Sequence, residues 1–348
     1  MKCACWLGPK NIQIIEKPKP IPKDGEALVQ VESVGICGSD IHYYVEGKIG
    51  DQHISPPLVL GHEFAGNVIE VKGSQFEHLV GKRVAVEPGI PCGECEFCNK
   101  GHYNVCPFMK FLGGPGCDGA LSEFISVPAR MCFSVPDTMS APISAMVEPT
   151  AVALHAVELA CFHPGETALV VGLGSIGLLT VQLLLLSGAS LVAGIDLNLY
   201  RSAIAIQLGA HKSLTPISSE PTQESIDWCN KITEHHGFDV TFDCTNSSEG
   251  IVIACHGAKP AGRCVLVGIS GKDYDPIPVS IARRRELKLQ WCRRFRYNFP
   301  STIELIRQGK IKIEPILTHH FPPEQTSLAF DMVASGAGKL IKASIDWI

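Results

Sequence analysis

The chain has little charge and few aromatic rings. Of its 348 residues, 19% are Asp, Glu, Lys or Arg and 7% are Phe, Trp or Tyr. Basic residues are in deficit, 30 Lys and Arg against 35 Asp and Glu, leaving a formal net charge of −5. That balance argues against nucleic acid or an anionic membrane surface as the main partner. Long hydrophobic runs are also lacking. The most apolar stretch, residues 176–186, is too short to cross a bilayer and suits a buried helix. Residues 1–9 show no apolar core of a secretory signal, so a cytoplasmic location is expected. Cysteine, by contrast, is plentiful. Fifteen cysteines in a chain expected to stay in a reducing compartment point to metal binding before disulfides.

At this length two domains are the natural expectation. Up to about residue 145, short alternating runs at 12–15, 27–31, 66–71, 83–86 and 121–127 are broken by Pro and Gly. They read as antiparallel strands and turns. The pattern changes at Glu148-Pro149. Strand-like runs at 167–171, 191–196, 239–243 and 263–267 then alternate with helical stretches at 175–187, 200–208, 225–234 and 248–258. Such alternation predicts βαβ units and a parallel sheet covered on both faces. A helix is expected at 300–308, and the run at 340–347 is expected to return to the first domain. The expected class is α/β: an all-β domain from residues 1–148 and 290–348, and a parallel-sheet domain over 149–289.

Gly172-Leu173-Gly174-Ser175-Ile176-Gly177 has the G-x-G-x-x-G spacing between an expected strand and an expected helix. The first glycine permits a tight turn, the second lets a pyrophosphate approach the backbone, and the third lets helix pack on strand. The phosphates would then face the helix N-terminus. Asp196 ends the next strand, where a carboxylate accepts from a ribose 2′-OH and repels a 2′-phosphate, favouring NAD over NADP. A helix N-cap is the plainer role for it. Arg201 either flanks the adenosine or is a solvated helix residue. Val267, Gly268 and Ile269 follow a later strand, on the side where cofactors bind.

Cys92, Cys95, Cys98 and Cys106 lie within fifteen residues of one another, in the expected lobe 89–108. Four thiolates so spaced suit a closed tetrahedral zinc, with disulfides or an iron–sulfur cluster as the alternatives. A second, open zinc needs three protein donors. Cys37, His62 and an acid would supply them, and Glu63 and Glu148 are both candidates for the acid.

Gly35-Ile36-Cys37-Gly38-Ser39-Asp40-Ile41-His42-Tyr43, Gly61-His62-Glu63, the four cysteines, Val147-Glu148-Pro149 and the glycine fingerprint follow one another in the order found in a known family. The chain resembles the zinc-dependent medium-chain dehydrogenases, and within them the sorbitol (polyol) dehydrogenases. The resemblance implies a GroES-like β catalytic domain with a Rossmann domain inserted, two zinc ions per chain, NAD, and a homo-oligomer, a tetramer or dimer. It implies catalytic zinc on Cys37, His62 and Glu63, with Glu148 by the zinc water or the substrate. Ser39 and His42 become a proton relay, and Tyr43, Phe111, Arg294 and Phe295 surround the substrate. Ile176, Asp196, Arg201, Val267, Gly268, Ile269 and residues 292–294, Arg293 among them, line the cofactor. The substrate arginine matches either Arg294 or Arg296; the gap-free alignment favours Arg294 and puts Phe295 where that branch has tyrosine.

The implied reaction is reversible oxidation of a polyol secondary alcohol to a ketose. The competing readings are an L-threonine, sugar-acid or sugar-phosphate dehydrogenase of the same superfamily, and a non-catalytic NAD(P)-binding protein.

Overall fold

The computed structural model describes residues 1–336 and 338–348. The chain divides into two compact units, residues 1–149 with 296–309 and 316–348, and residues 150–295 with 310–315. The second boundary lies past residue 290, where the sequence suggests it. Lys288–Trp291 pairs in parallel with the strand Ala258–Leu266 and so stays with the second unit.

A seven-stranded sheet organises the first unit. Its centre is Glu26–Gly35, a strand with three valines that is buried along nearly its whole length. Glu63–Val71 lies antiparallel on one side of it and Lys342–Asp346 on the other. Register then fixes what meets at the strand's end, because Gly35 stands opposite both Glu63 and Ser344. Gly35 is also the one residue type this meeting tolerates. A Cβ there would come within 2.4 Å of Glu63 Oε2 and 3.2 Å of Lys342 Cε. Beyond Gly35 the chain turns into the helix Gly38–Glu46, stopped by Gly47 at φ 69°. This helix and Thr326–Ser335 carry no clear helical signal in the sequence.

The second unit holds a six-stranded, wholly parallel sheet. From edge to edge it runs Lys212–Leu214, Leu191–Ile195, Thr167–Val171, Phe238–Asp243, Ala258–Leu266 and Lys288–Trp291. The order reverses beside Thr167–Val171, so the crevice of this Rossmann-type sheet opens at that strand's carboxyl end. The helix Ser175–Leu186 starts there and buries Leu178, Leu179, Val181, Leu183 and Leu184, while Leu186 at its end is exposed. No helix among the described residues is long and apolar enough to cross a membrane.

Candidate active site

Ligand atoms of Cys37, His62 and Glu63 lie within 4.8 Å of one another. Neighbouring strand residues normally face opposite ways. Here the strand begins only at Glu63, and Gly61 at φ 86° turns the backbone just before His62, so both side chains reach one point. His62 and Glu63 are 5% and 1% exposed.

Asp40 holds this trio together. Its carboxylate accepts the Cys37 N–H at 3.0 Å and the Gly61 N–H at 3.2 Å. Its Oδ1 also lies 3.4 Å from His62 Nδ1. The ring is thereby oriented with Nε2 left for a ligand role, the usual arrangement behind a metal-binding histidine. Burial would raise the Asp40 carboxyl, but His62 and the two backbone donors hold it below the ordinary carboxylate range. Burial likewise opposes charge on His62, yet Asp40 and Cys37 outweigh it and raise its pKa. Lys342 completes the set as a buried ion pair with Glu63.

The donor set fits a zinc ion: one thiolate, one imidazole, one carboxylate and room for a fourth ligand. Glu148, in the first turn of Val147–Leu159, is outside the converging trio but feels the fields of His62, Glu63 and Lys342. Burial above all lifts its pKa to about 8, with His62 opposing and Glu63 adding. Phe111 lays its ring 5.0 Å from that of His62. Ser39 and His42 are half-buried, one turn apart on Gly38–Glu46, and Tyr43 is buried on the same helix.

The four-cysteine lobe is separate. Sulfur–sulfur distances are 3.5 Å for Cys95–Cys98, 3.6 Å for Cys92–Cys106, 3.8 Å for Cys95–Cys106 and 3.9 Å for Cys92–Cys98. A tetrahedron with Zn–S bonds of about 2.3 Å has edges of about 3.8 Å, so the four sulfurs fit a closed zinc site. All four are free thiols, not disulfides. Backbone N–H groups of Glu94 and Cys95 draw the Cys92 thiol down to about 7.

In the parallel-sheet unit the fingerprint glycines behave as their spacing requires. Gly172 adopts φ 86°, a Cβ on Gly177 would sit 1.9 Å from Gly172 O, and Gly174 has open space. The first turn of Ser175–Leu186, Ile176 included, has no side-chain cap, which leaves N–H groups for a phosphate. Asp196 accepts the Leu173 N–H at 2.7 Å and the Asn198 N–H at 2.8 Å, and Arg201 lies 4.0 Å from it. The cap of the next helix is Asn198, not Asp196. Gly268 follows the strand Ala258–Leu266, and a Cβ on it would strike Thr245 O, so backbone passes closely beside Val267 and Ile269.

Farther along, Arg293 is exposed, Arg294 half-buried and Phe295 buried. Arg294 and Tyr297 both have left-handed backbones, φ 53° and 56°. Arg296 is engaged with His102 and, at 3.4 Å, with the Gly101 carbonyl. The sequence does not single out Asp40 or Lys342. Asp40 stands three residues after Cys37 in cap spacing, a signal that was there to be used; Lys342 has none.

Two family models match the chain. The alcohol dehydrogenase GroES-like domain covers residues 23–137 and the zinc-binding dehydrogenase covers residues 175–308. Sorbitol dehydrogenase of Bacillus subtilis is 32% identical over 345 residues, 99% of this chain and 97% of that protein. L-idonate 5-dehydrogenase of Vitis vinifera is 36% identical over 347 residues, 97% and 93% of the two chains. Among solved structures, an Escherichia coli oxidoreductase/dehydrogenase of unknown specificity superposes with a TM-score of 0.90 at 32% identity, covering 99% and 98%. A Sinorhizobium meliloti protein assigned as a zinc-binding dehydrogenase and bound to NADP gives 0.88 at 27% identity, covering 99% of each chain.

Proposed function

The chain belongs to the zinc-dependent medium-chain dehydrogenases, in their sorbitol-dehydrogenase-like branch, and on that premise we propose that it interconverts a polyol secondary alcohol and a ketose with NAD. The observation that carries this reading is the convergence of Cys37, His62 and Glu63 in front of Asp40.

In this reading Cys37, His62 and Glu63 hold the catalytic zinc, and the four-cysteine lobe holds a second, structural one. When bound, the zinc acts as a Lewis acid on the hydroxyl oxygen and the oxidised nicotinamide takes the hydride. The chain's own part is to orient and to move a proton. Asp40 fixes the imidazole of His62, and Lys342 fixes Glu63. Glu148, buried beside them, would hydrogen-bond the substrate's reacting hydroxyl or the water it displaces. Ser39 and His42 carry the hydroxyl proton outward; imidazole suits that step because its ordinary pKa is about 6.5. Tyr43 and Phe111 shape the sugar end, and Arg294 with Phe295 adds the polar and apolar contacts of the remaining chain of hydroxyls. Gly172, Gly174 and Gly177 seat the pyrophosphate, and Asp196 takes the ribose hydroxyls, with Arg201 and Arg293 flanking the cofactor. The enzyme works in the cytoplasm as a homo-oligomer, a dimer or tetramer.

A second reading, a sugar acid as substrate, is favoured by the L-idonate 5-dehydrogenase relative and by the arginine turn. A screen of sorbitol, xylitol, ribitol, galactitol, L-idonate and L-threonine, each with NAD and NADP, decides. The proposal expects the highest kcat/KM with a neutral polyol and NAD. Preference for L-idonate moves the assignment to sugar acids, and no turnover with any alcohol by zinc-loaded protein overturns it.

A further inference from the structure

The turn at residues 294–297 is held in an unfavourable backbone. Arg294 and Tyr297 both sit in the left-handed region, at φ 53° and 56°. Side chains with a Cβ adopt it at a cost, so such residues persist where their surroundings impose it. Four contacts from residues 101–103 fall on its second half, at Arg296 and Tyr297. The Tyr103 hydroxyl accepts the Tyr297 N–H at 2.8 Å. The two tyrosine rings meet edge to face, 4.8 Å apart at 81°. Arg296 reaches the Gly101 carbonyl and the His102 ring.

Residues 101–103 lie between Cys98 and Cys106, inside the loop that the four sulfurs close. Tyr103 is anchored from the other side as well. Its hydroxyl donates to the carboxylate of Glu87, a 7% exposed residue just before the lobe. The hydroxyl therefore uses its donor on Glu87 and an acceptor site on Tyr297. The Tyr103 carbonyl also accepts the Cys106 N–H at 3.0 Å, which ties it to the lobe's last thiolate.

We propose that Tyr103 is a positioning residue, through which the metal-loaded four-cysteine lobe holds the 294–297 turn and so sets how Arg294 is presented to substrate. The lobe then has a kinetic role beyond bracing its own loop. The kinetic half rests on the reading above, in which Arg294 meets the substrate; the holding of the turn does not.

Trypsin separates the two halves, since it cuts after Arg293, Arg294 and Arg296. Tyr103→Phe keeps the ring and deletes the hydroxyl. Relative to wild type, the variant should keep its zinc content and NADH affinity and be cut within 293–296 at least fivefold faster. KM for the best substrate should rise about fivefold with kcat within twofold, the scale of one lost hydrogen bond. Cleavage and KM both unchanged overturn the proposal. Arg294→Lys is measured alongside. If it leaves KM unchanged, the substrate reading of Arg294 is wrong, while faster cleavage in Tyr103→Phe still supports the hold. If Tyr103→Phe fails to fold, Arg296→Gln, read at the sites after Arg293 and Arg294, replaces it: faster cleavage supports the hold and unchanged cleavage overturns it.

Discussion

Asp40 shows how much one carboxylate can organise. It ties the backbone at Cys37 to the backbone at Gly61 and faces the ring of His62, so a single side chain sets two of the three candidate metal donors. Outer partners of this kind typically contribute a factor of 10 to 100 in metal affinity. Asp40→Asn keeps an acceptor but loses the charge. It should weaken zinc at the Cys37 site by about tenfold or more in chelator competition, with the four-cysteine zinc retained; equal affinity would show that Asp40 only caps the helix. Cys37, His62 and Glu63 were legible as candidate metal donors because their residue types are the ligand types, and the structure brings their ligand atoms within 4.8 Å of one another. Which of the two acids, Glu63 or Glu148, stands beside Cys37 and His62 was not, since it depends on strand register, which puts Gly35 opposite Glu63. Lys342 was invisible for the same reason: it reaches Glu63 only through pairing at the far end of the chain.

At the level of elements, the parallel-sheet unit was the more readable. Thr167–Val171 and the helix Ser175–Leu186 fall at the expected positions, because a buried strand followed by a glycine turn leaves few alternatives. Gly38–Glu46 was missed because Ile41, Tyr43, Tyr44 and Val45 favour strands. What makes it a helix is the reciprocal cap between Cys37 and Asp40, together with burial of Tyr43 and Tyr44. The glycine turn gives a sharp prediction. In Gly177→Ala the new methyl would lie 1.9 Å from Gly172 O, a backbone atom, so strand and helix must separate. NADH binding, followed by fluorescence titration, should weaken at least tenfold while zinc content stays at the wild-type level. Unchanged affinity would mean the pyrophosphate does not sit on this turn.

For the whole molecule, the hydrophobic period changes at Glu148-Pro149, beside the point where the first compact unit ends at Pro149. The return boundary has no such signal, since Lys288–Trp291 looks like any short apolar run until it is paired. Stability against pH is a property of the whole chain, and Glu87 governs a distinct part of it. Burial raises its carboxyl to about 7, against the smaller lowering effects of Tyr103 and Arg130. Because the folded pKa lies above the unfolded one, the fold favours the protonated acid. That contribution is complete below the ordinary value of 4.5 and is lost as pH rises through 7. The span corresponds to on the order of 3 kcal/mol. Urea midpoints of the zinc-loaded protein should therefore fall between pH 6 and 8.5 more steeply in wild type than in Glu87→Gln. The variant, neutral throughout, should gain on wild type as pH rises, with its advantage at pH 8.5 exceeding that at pH 6. Parallel midpoint curves for the two proteins would show that Glu87 is already ionised in the fold, held by Tyr103 and Arg130 more firmly than its burial opposes.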